Sequence, residues 1–521
     1  MKSVFMLHVG FELSLAFRNL MGFAKLDVRI REGVRFKLHE LRMEEFTSGI
    51  IKVNDFAPFT ETERALMDIA ADPPDVLCVS CYIWNAQPVL AFCQRVRALC
   101  PGTLVVAGGP EVGYKPTEIL TRWTAIDVVV TGEGEETFRD ILLAELDDRR
   151  DALVGMAGTT TRGADGVITA GPPRAPLADI NVIPPPFDEE LAAGSDALGH
   201  FDGSVIYETL RGCVYKCAFC LYGKGLFSYR TYDEDRVVRE LGALLTAGYT
   251  VQVVDPIFGL HQKRTKRVLR RIAELDYPGG LIIESYAELI DREMAELFKA
   301  AKVQQIGVGL QSIGHSAIEE MDRRFRMQRF VENLGHLGEL GLNYYVDVIY
   351  GLPEDDYEGF KKTLDFALGF PQADVEIYRL LALPGTRYHD DAEKYGLRYS
   401  PEPPYETYGC DTFPYEDVVR AHKVAQTYKL LRRSLKQVYM LEPAWRKGYS
   451  GSAAAFLEDL AGYLEETGVL DFFSNADIDA VAFAFRAKLQ EFLILRGLTG
   501  TQRDVEPPPE GPRGMRPSLM D

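Results

Sequence analysis

The sequence predicts an α/β protein with an N-terminal doubly wound Rossmann-like sheet, a partial (β/α) barrel and a C-terminal helical domain. Three observations carry this. Short apolar runs each end in a glycine turn followed by a helical pattern, a proline-dense stretch separates two such series, and no strand pattern survives after about Asp417.

The first series begins at the N-terminus. MKSVFMLHVGFELSLAF is apolar but carries Glu12, is soon followed by Arg18 and lacks a small-residue cleavage site, so it reads as a strand and not a signal peptide. Asp75–Cys81 is a second apolar run, with a helical pattern from Pro88 to Cys100. Thr103–Ala107 ends at Gly108-Gly109-Pro110, and Ile126–Val130 ends at Gly132-Glu133-Gly134-Glu135. Ligands of such sheets sit beyond the carboxyl ends of the strands, where these glycines fall. Gly171–Phe187 holds six prolines in 17 residues and predicts an extended connector.

The alternation resumes at about Phe201. Strands are predicted at Thr250–Val254, Leu281–Glu284, Gln305–Leu310, Tyr344–Tyr350 and Val375–Leu381, with helices between them. Helices follow at Val418–Leu435, Ala453–Glu466 and Asp477–Gly497. The expected domains are therefore 1–165 (sheet), 166–200 (Pro-rich linker), 201–400 (barrel), 401–500 (helical) and 501–521, a proline-rich tail expected to be disordered.

Composition narrows the function. With 58 basic and 77 acidic residues the 521-residue chain has a formal charge of −19, which disfavours nucleic acid as the main partner. No stretch approaches the ~18 apolar residues of a membrane span, so no membrane partner and a cytoplasmic location are expected. Eight cysteines are too few for a disulfide framework and point to reduced thiols or a metal site.

Cys213, Cys217 and Cys220, in RGCVYKCAFC, have the spacing C-x3-C-x2-C directly after the strand-like segment Ser204–Leu210. Three thiolates this close can serve one soft metal centre, and a set of three leaves a coordination position open. A zinc knuckle with a distant fourth ligand, or three unrelated buried cysteines, are the other readings of the same spacing.

With Phe219 before the third cysteine, this segment resembles the radical S-adenosylmethionine (SAM) enzymes. The resemblance implies that the three cysteines hold a [4Fe–4S] cluster and that SAM binds the fourth iron. SAM is then cleaved reductively to a 5′-deoxyadenosyl radical. Asp255 in TVQVVDP, Glu284 in IIESYAELI, Gln311 and Ser312 in GLQS, and Arg323 match the family's later strand ends and are implied SAM-site residues. Asp347–Pro353 (DVIYGLP) and Leu383-Pro384-Gly385-Thr386 match it as well. The family's Gly-Gly-Glu stretch is not evident.

The N-terminal segments resemble the cobalamin-binding domain often fused ahead of radical SAM barrels. Ser80, Tyr82, Trp84 and Asn85 carry that resemblance, with Gly108, Gly109, Pro110, Glu111, Gly132, Glu133, Gly134 and Glu135; the resemblance implies that these residues bind cobalamin. Glycines let backbone N–H groups approach a bulky phosphate-bearing cofactor. Asp-x-His-x-x-Gly is absent, which implies no histidine below the cobalt; His8 reads as a strand-end residue. Cys78, Cys81, Cys93 and Cys100 read as core, Cys410 as structural or as an entrant to the active site, and the C-terminal aromatics as pocket or core.

Together the resemblances imply a cobalamin-dependent radical SAM methyltransferase. It would move a methyl group from SAM by way of methylcobalamin to an unactivated carbon, or phosphorus, of a small-molecule substrate. An external electron donor such as flavodoxin or ferredoxin would supply it. The same cofactors also serve cyclisation or rearrangement without methyl transfer, and methyl transfer without a radical. No side chain is assigned a catalytic role.

Overall fold

In a computed structural model the described residues are 1–47, 60–194, 201, 203–222, 229–323, 326–370, 373–435, 438–468 and 478–498. The predicted tail 501–521 lies outside them.

The first sheet has seven strands: β1 (Lys2–Gly10), β2 (Val34–Arg42), β3 (Val76–Ser80), β4 (Leu104–Gly108), β5 (Val128–Val130), β6 (Thr159–Arg162) and β7 (Ile168–Ala170). Their order is β2-β1-β3-β4-β5-β6-β7, parallel through β5 and antiparallel beyond it. The chain leaves β1 for β2 on one side and for β3 on the other, so the switch point of this doubly wound sheet lies between β1 and β3. Alternate residues feed two cores. Phe5, Leu7, Val9 and Val105 lie on one face, Val4, Met6, Val76 and Val106 on the other.

Three strands of this sheet were not foreseen. The strand β2 (VRFKLHELR) is a charged edge strand with one neighbour, so it has no apolar run to betray it. The hairpin β6–β7 is threonine-rich and pairs antiparallel, outside the βα alternation.

The second sheet holds six parallel strands: β8 (Ser204–Tyr207), β11 (Thr250–Val253), β12 (Gly280–Ser285), β13 (Val303–Gln311), β14 (Tyr344–Tyr350) and β15 (Asp374–Arg379). They stand in chain order, and β8 and β15 have no partner on their outer sides in that order, so the barrel is partial. Between β8 and β11 runs a two-residue ladder, β9 (Leu210–Arg211) against β10 (Arg230–Thr231). A short pair, β16 (Arg398–Tyr399) and β17 (Thr407–Gly409), follows the barrel.

Helices Tyr415–Ser434, Ala453–Glu466 and Ile478–Leu495 extend the barrel's own core, which runs continuously to Trp445, Phe456 and Phe492. The proline-dense connector is packed: Ile180, Ile183 and Phe187 are buried in that core. Among the described residues no helix is long and apolar enough to cross a membrane.

Candidate cofactor-binding site

The cysteine segment hangs between the two strands of the β9–β10 ladder. Its entry corner is held from behind by Asp255, at the end of β11. That carboxylate is 2% exposed and accepts from Thr209 N (2.6 Å), Thr209 Oγ1 (2.6 Å) and Leu210 N (3.1 Å). Gly212 then turns the chain at φ +94°, a conformation that favours glycine. In mid-loop, Ala218 N–H donates to the Met321 carbonyl (3.0 Å), and the Ala218 carbonyl accepts from Tyr388 N–H (3.1 Å). Phe219 packs against the barrel core.

The three thiols are free. Burial pushes Cys213 up and Cys220 up to about 11, and each also feels Cys217. They form a soft donor set on one loop. Among the described residues no three His, Cys, Asp or Glu side chains form a site for a single metal ion. Three thiolates on one loop are the donor chemistry of an iron–sulfur cluster, in which each ligated iron takes one cysteine sulfur.

Near the loop are side chains from β12, β13 and β14, with Arg323 coming from the turn after the helix His315–Glu320 and not, as the sequence suggests, from a strand end. Glu284 on β12 is open to solvent although protein encloses it, and burial raises its carboxyl. Gln311 ends β13 at φ +74° and is 8% exposed; its Oε1 has no partner. Arg323 donates from Nη2 to the Gly309 carbonyl (2.6 Å) and lies over the Tyr286 ring, with Nε unpartnered. Asp347 Oδ1, on β14, is also buried without a partner. A buried acceptor or donor left unmade costs on the order of 1–3 kcal/mol, so three clustered here, Gln311 and Arg323 both beside Gly309 and Asp347 feeling Arg323, mark a place suited to a polar ligand. Ser312 is different. It is 0% exposed, and its Oγ donates to Asp355 Oδ2 (2.7 Å) while accepting from Gly314 N–H. Like Asp255, it shapes the site from behind.

In the first domain, the switch point is fastened by Asn85, 0% exposed. Its Nδ2 donates to the carbonyls of Val9 (2.6 Å) and Ser80 (3.1 Å), and its Oδ1 accepts from Tyr82 N–H (2.7 Å). With its amide committed, Asn85 positions the Tyr82–Trp84 turn. Those two rings stack with centroids 4.7 Å apart, and the Trp84 indole N–H is buried and unpartnered. Ser80 Oγ and His8 Nδ1 are 2.9 Å apart, and His8 Nε2 lies 2.9 Å from the Glu12 carbonyl. Both histidine nitrogens are thus committed inside the protein.

Gly108 ends β4 beside Ser80, and Pro110 opens a short helix. Gly109 has φ +107°, and a Cβ there would lie 2.4 Å from the Cys81 carbonyl oxygen. Glu111 accepts from Tyr405 O–H of the segment after the barrel. Gly132 turns at φ +75°. Past it, Glu133 pairs with Arg230 and Glu135 with Arg211 (2.7 Å), both across the domain boundary.

The two sets of strand ends face each other. Tyr222 is 54% exposed, yet the protein around it pushes its phenol up, and it feels Glu284 and Cys220 on its own side and Tyr82 of the first domain. Tyr114 O–H donates to the Gly385 carbonyl (3.1 Å), where a Cβ would fall 1.5 Å from the tyrosine ring. Cys78 packs on one face of the first sheet and Cys81, Cys93 and Cys100 on the other, all as core. Cys410 is buried beside Thr412 and the Leu352 carbonyl. Tyr408 and Tyr415 are exposed, Trp445 is core, and Tyr449 donates to Asp459 (2.5 Å).

Residues 207–367 match the family model of the radical SAM superfamily, and residues 45–142 match that of the B12 binding domain. The chain joins a B12-binding domain to a radical SAM domain. Among curated proteins it is 28% identical over 356 residues to a 2-(S-pantetheinyl)-carbapenam-3-carboxylate methyltransferase of Streptantibioticus cattleyicolor, covering 63% of this chain and 50% of that protein. It is 26% identical over 359 residues to the cobalamin-dependent radical SAM methyltransferase TokK of Streptomyces tokunonensis, covering 64% and 51%. The chain thus spans about half the length of the curated relatives it matches. Among solved structures, the cobalamin-dependent SAM radical enzyme OxsB, with aqua-cobalamin and SAM bound, superposes with a TM-score of 0.64. That likeness has 14% identity and covers 95% of this chain and 80% of OxsB; it concerns the fold.

Sequence reasoning missed Arg230 and Tyr114, and it read Arg211 only as part of the cysteine segment and Tyr405 as pocket or core, with no interdomain role for either. No motif carries them, because their partners lie far away in sequence.

Proposed function

We propose that this protein is a cobalamin-dependent radical SAM methyltransferase acting on a small molecule. The observation that carries the reading is that the loops at two sets of strand carboxyl ends meet across the domain boundary, at Tyr114–Gly385, Glu133–Arg230 and Glu135–Arg211. One side offers three free thiols and unpartnered polar atoms of Gln311, Arg323 and Asp347, and the other the glycine turns of a doubly wound switch point. Methyl transfer is supported by the relatives' activities.

Cys213, Cys217 and Cys220 would hold a [4Fe–4S] cluster, losing their protons as iron binds. Glu284, Gln311, Arg323 and Asp347 would hold the polar groups of SAM, backed by Asp255 and Ser312. Ser80, Tyr82, Trp84, Gly108, Gly109 and Pro110 would flank the corrin, with Asn85 holding their turn. These groups, when bound, supply a reductively generated carbon radical and a methyl donor. The chain's part is to place both against one substrate and to keep water out. A reduced flavodoxin or ferredoxin is the proposed electron source, and the cytoplasm, which keeps thiols reduced, the proposed compartment.

The test is anaerobic incubation of the reconstituted, reduced protein with SAM and a panel of small substrates, followed by mass spectrometry. The reading expects 5′-deoxyadenosine together with a product heavier by one CH2. Deoxyadenosine with a product of unchanged composition would replace methyl transfer by rearrangement. A methylated product without deoxyadenosine would remove the radical step.

A further inference from the structure

The loop that carries Cys213, Cys217 and Cys220 is closed at its base by the antiparallel pair Arg211–Arg230. Both arginines reach across the domain boundary to one turn of the first domain. Arg211 donates from Nη1 to Glu135 Oε1 (2.7 Å), and Arg230 to both oxygens of Glu133. Every member of the two pairs is at least three-quarters buried by side chain.

Each pair is braced. Glu208 accepts from Arg211 Nε (2.9 Å), Tyr232 O–H (2.8 Å) and Asn19 Nδ2 (3.3 Å). The connector residue Leu177 donates its N–H to Glu133 (3.0 Å) and accepts from Arg230 (2.6 Å) through its carbonyl. The bidentate Arg230–Glu133 pair fixes orientation as well as distance, the single Arg211–Glu135 contact adds a second point, and burial shields both from salt. A single interdomain pair would act as a pivot. Two pairs, one on each strand at the base of the loop, also fix its rotation.

We infer that Glu133 and Glu135 are positioning residues, forming with Arg230 and Arg211 a double clasp that sets the cluster loop's distance and angle relative to the B12-binding domain. This reassigns both glutamates from the cofactor contact that the sequence suggests, and it rests on the reading that the triad holds a cluster and the switch point a corrin. A displacement of about 1 Å between positioned reactants costs on the order of 10²-fold in rate, so such a clasp is of direct consequence for transfer between two cofactors.

The test is pulsed EPR of the full chain loaded with cob(II)alamin and a reduced cluster, reading the interspin distance. Metal content is measured on the same samples. Glu133→Gln/Glu135→Gln keeps shape and removes both charges. The exposed interdomain pair Arg122–Glu402 supplies the control, Glu402→Gln. The clasp predicts a narrow distance distribution in wild type and in the control. In the double variant it predicts a distribution broadened and shifted by about 1 Å or more, with iron and cobalt content unchanged. If the double variant does not fold, Arg211→Lys and Arg230→Lys, which keep the charge but lose the fork, are expected to broaden the distribution less. An unchanged distribution in a variant carrying full iron and cobalt overturns the clasp. Wild type that takes up no cobalamin or no iron overturns the functional reading instead.

Discussion

Gly109→Ala is the sharpest single perturbation of the B12-binding domain. The residue sits at φ +107° and ψ 166°, a region left essentially to glycine, and occupying it with alanine costs about 1–3 kcal/mol. The new Cβ would also stand 2.4 Å from the Cys81 carbonyl oxygen and 2.9 Å from its nitrogen. That peptide cannot yield cheaply, because Cys81 N–H donates to the Gly108 carbonyl (2.7 Å) and the Cys81 carbonyl accepts from Glu111 N–H (3.3 Å). Losing both bonds adds roughly 1 kcal/mol each, so the total is about 3–5 kcal/mol. At about 2–4 °C per kcal/mol for a domain of this size, the first unfolding transition should fall by roughly 10 °C. Cobalamin affinity, read by absorbance titration, should fall at least about ten-fold, because the turn must move. Gly102→Ala, in the same domain with nothing within 4 Å of its Cβ, is the control and should melt as wild type does. Equal melting and equal affinity for Gly109→Ala would refute the close-approach reasoning.

Three further outcomes follow from the site. Burial lifts the Asp255 carboxyl to about 7 against the pull of Thr209 and Leu210. A value above the unfolded one gives stability that is complete below about pH 4 and lost as pH rises through about 7. Urea midpoints of wild type should therefore fall relative to Asp255→Asn between about pH 4 and 7, and a pH-independent gap would contradict this. Arg323→Ala should load iron normally yet weaken SAM binding about ten-fold or more by calorimetry, because it removes a charged donor whose Nε is buried and unpartnered. In the metal-free native chain, iodoacetamide should modify half-buried Cys217 first. Cys78, Cys81, Cys93 and Cys100, whose thiols burial pushes up (Cys93 to about 12), should react only on unfolding, as peptide mass spectrometry would show.

What was legible in the sequence was local. The three cysteines lie within eight residues, and the apolar strands with their glycine turns are contiguous, so spacing alone exposes the cysteine motif and the βα rhythm. The strands β2, β6 and β7 escaped because an edge strand and a threonine hairpin need no apolar run. The site residues divide along the same line. Gln311 and Arg323 keep buried atoms unpartnered, whereas the polar capacity of Asn85, Ser312 and Glu133 is engaged inside the protein. Those partners lie 76, 43 and 97 residues away in the chain. A motif reports that a polar residue stands at a strand end; only the folded chain shows whether its hydrogen bonds are already made.

The central claim is that one chain carries two separate cofactor sites, one on each domain. The most direct measurement is metal content per chain after anaerobic reconstitution with iron, sulfide and hydroxocobalamin, for wild type and for Cys213→Ala/Cys217→Ala/Cys220→Ala. The account predicts about four irons and one cobalt in wild type, with iron alone lost from the variant. Zinc in place of iron, or iron without cobalt, would contradict it.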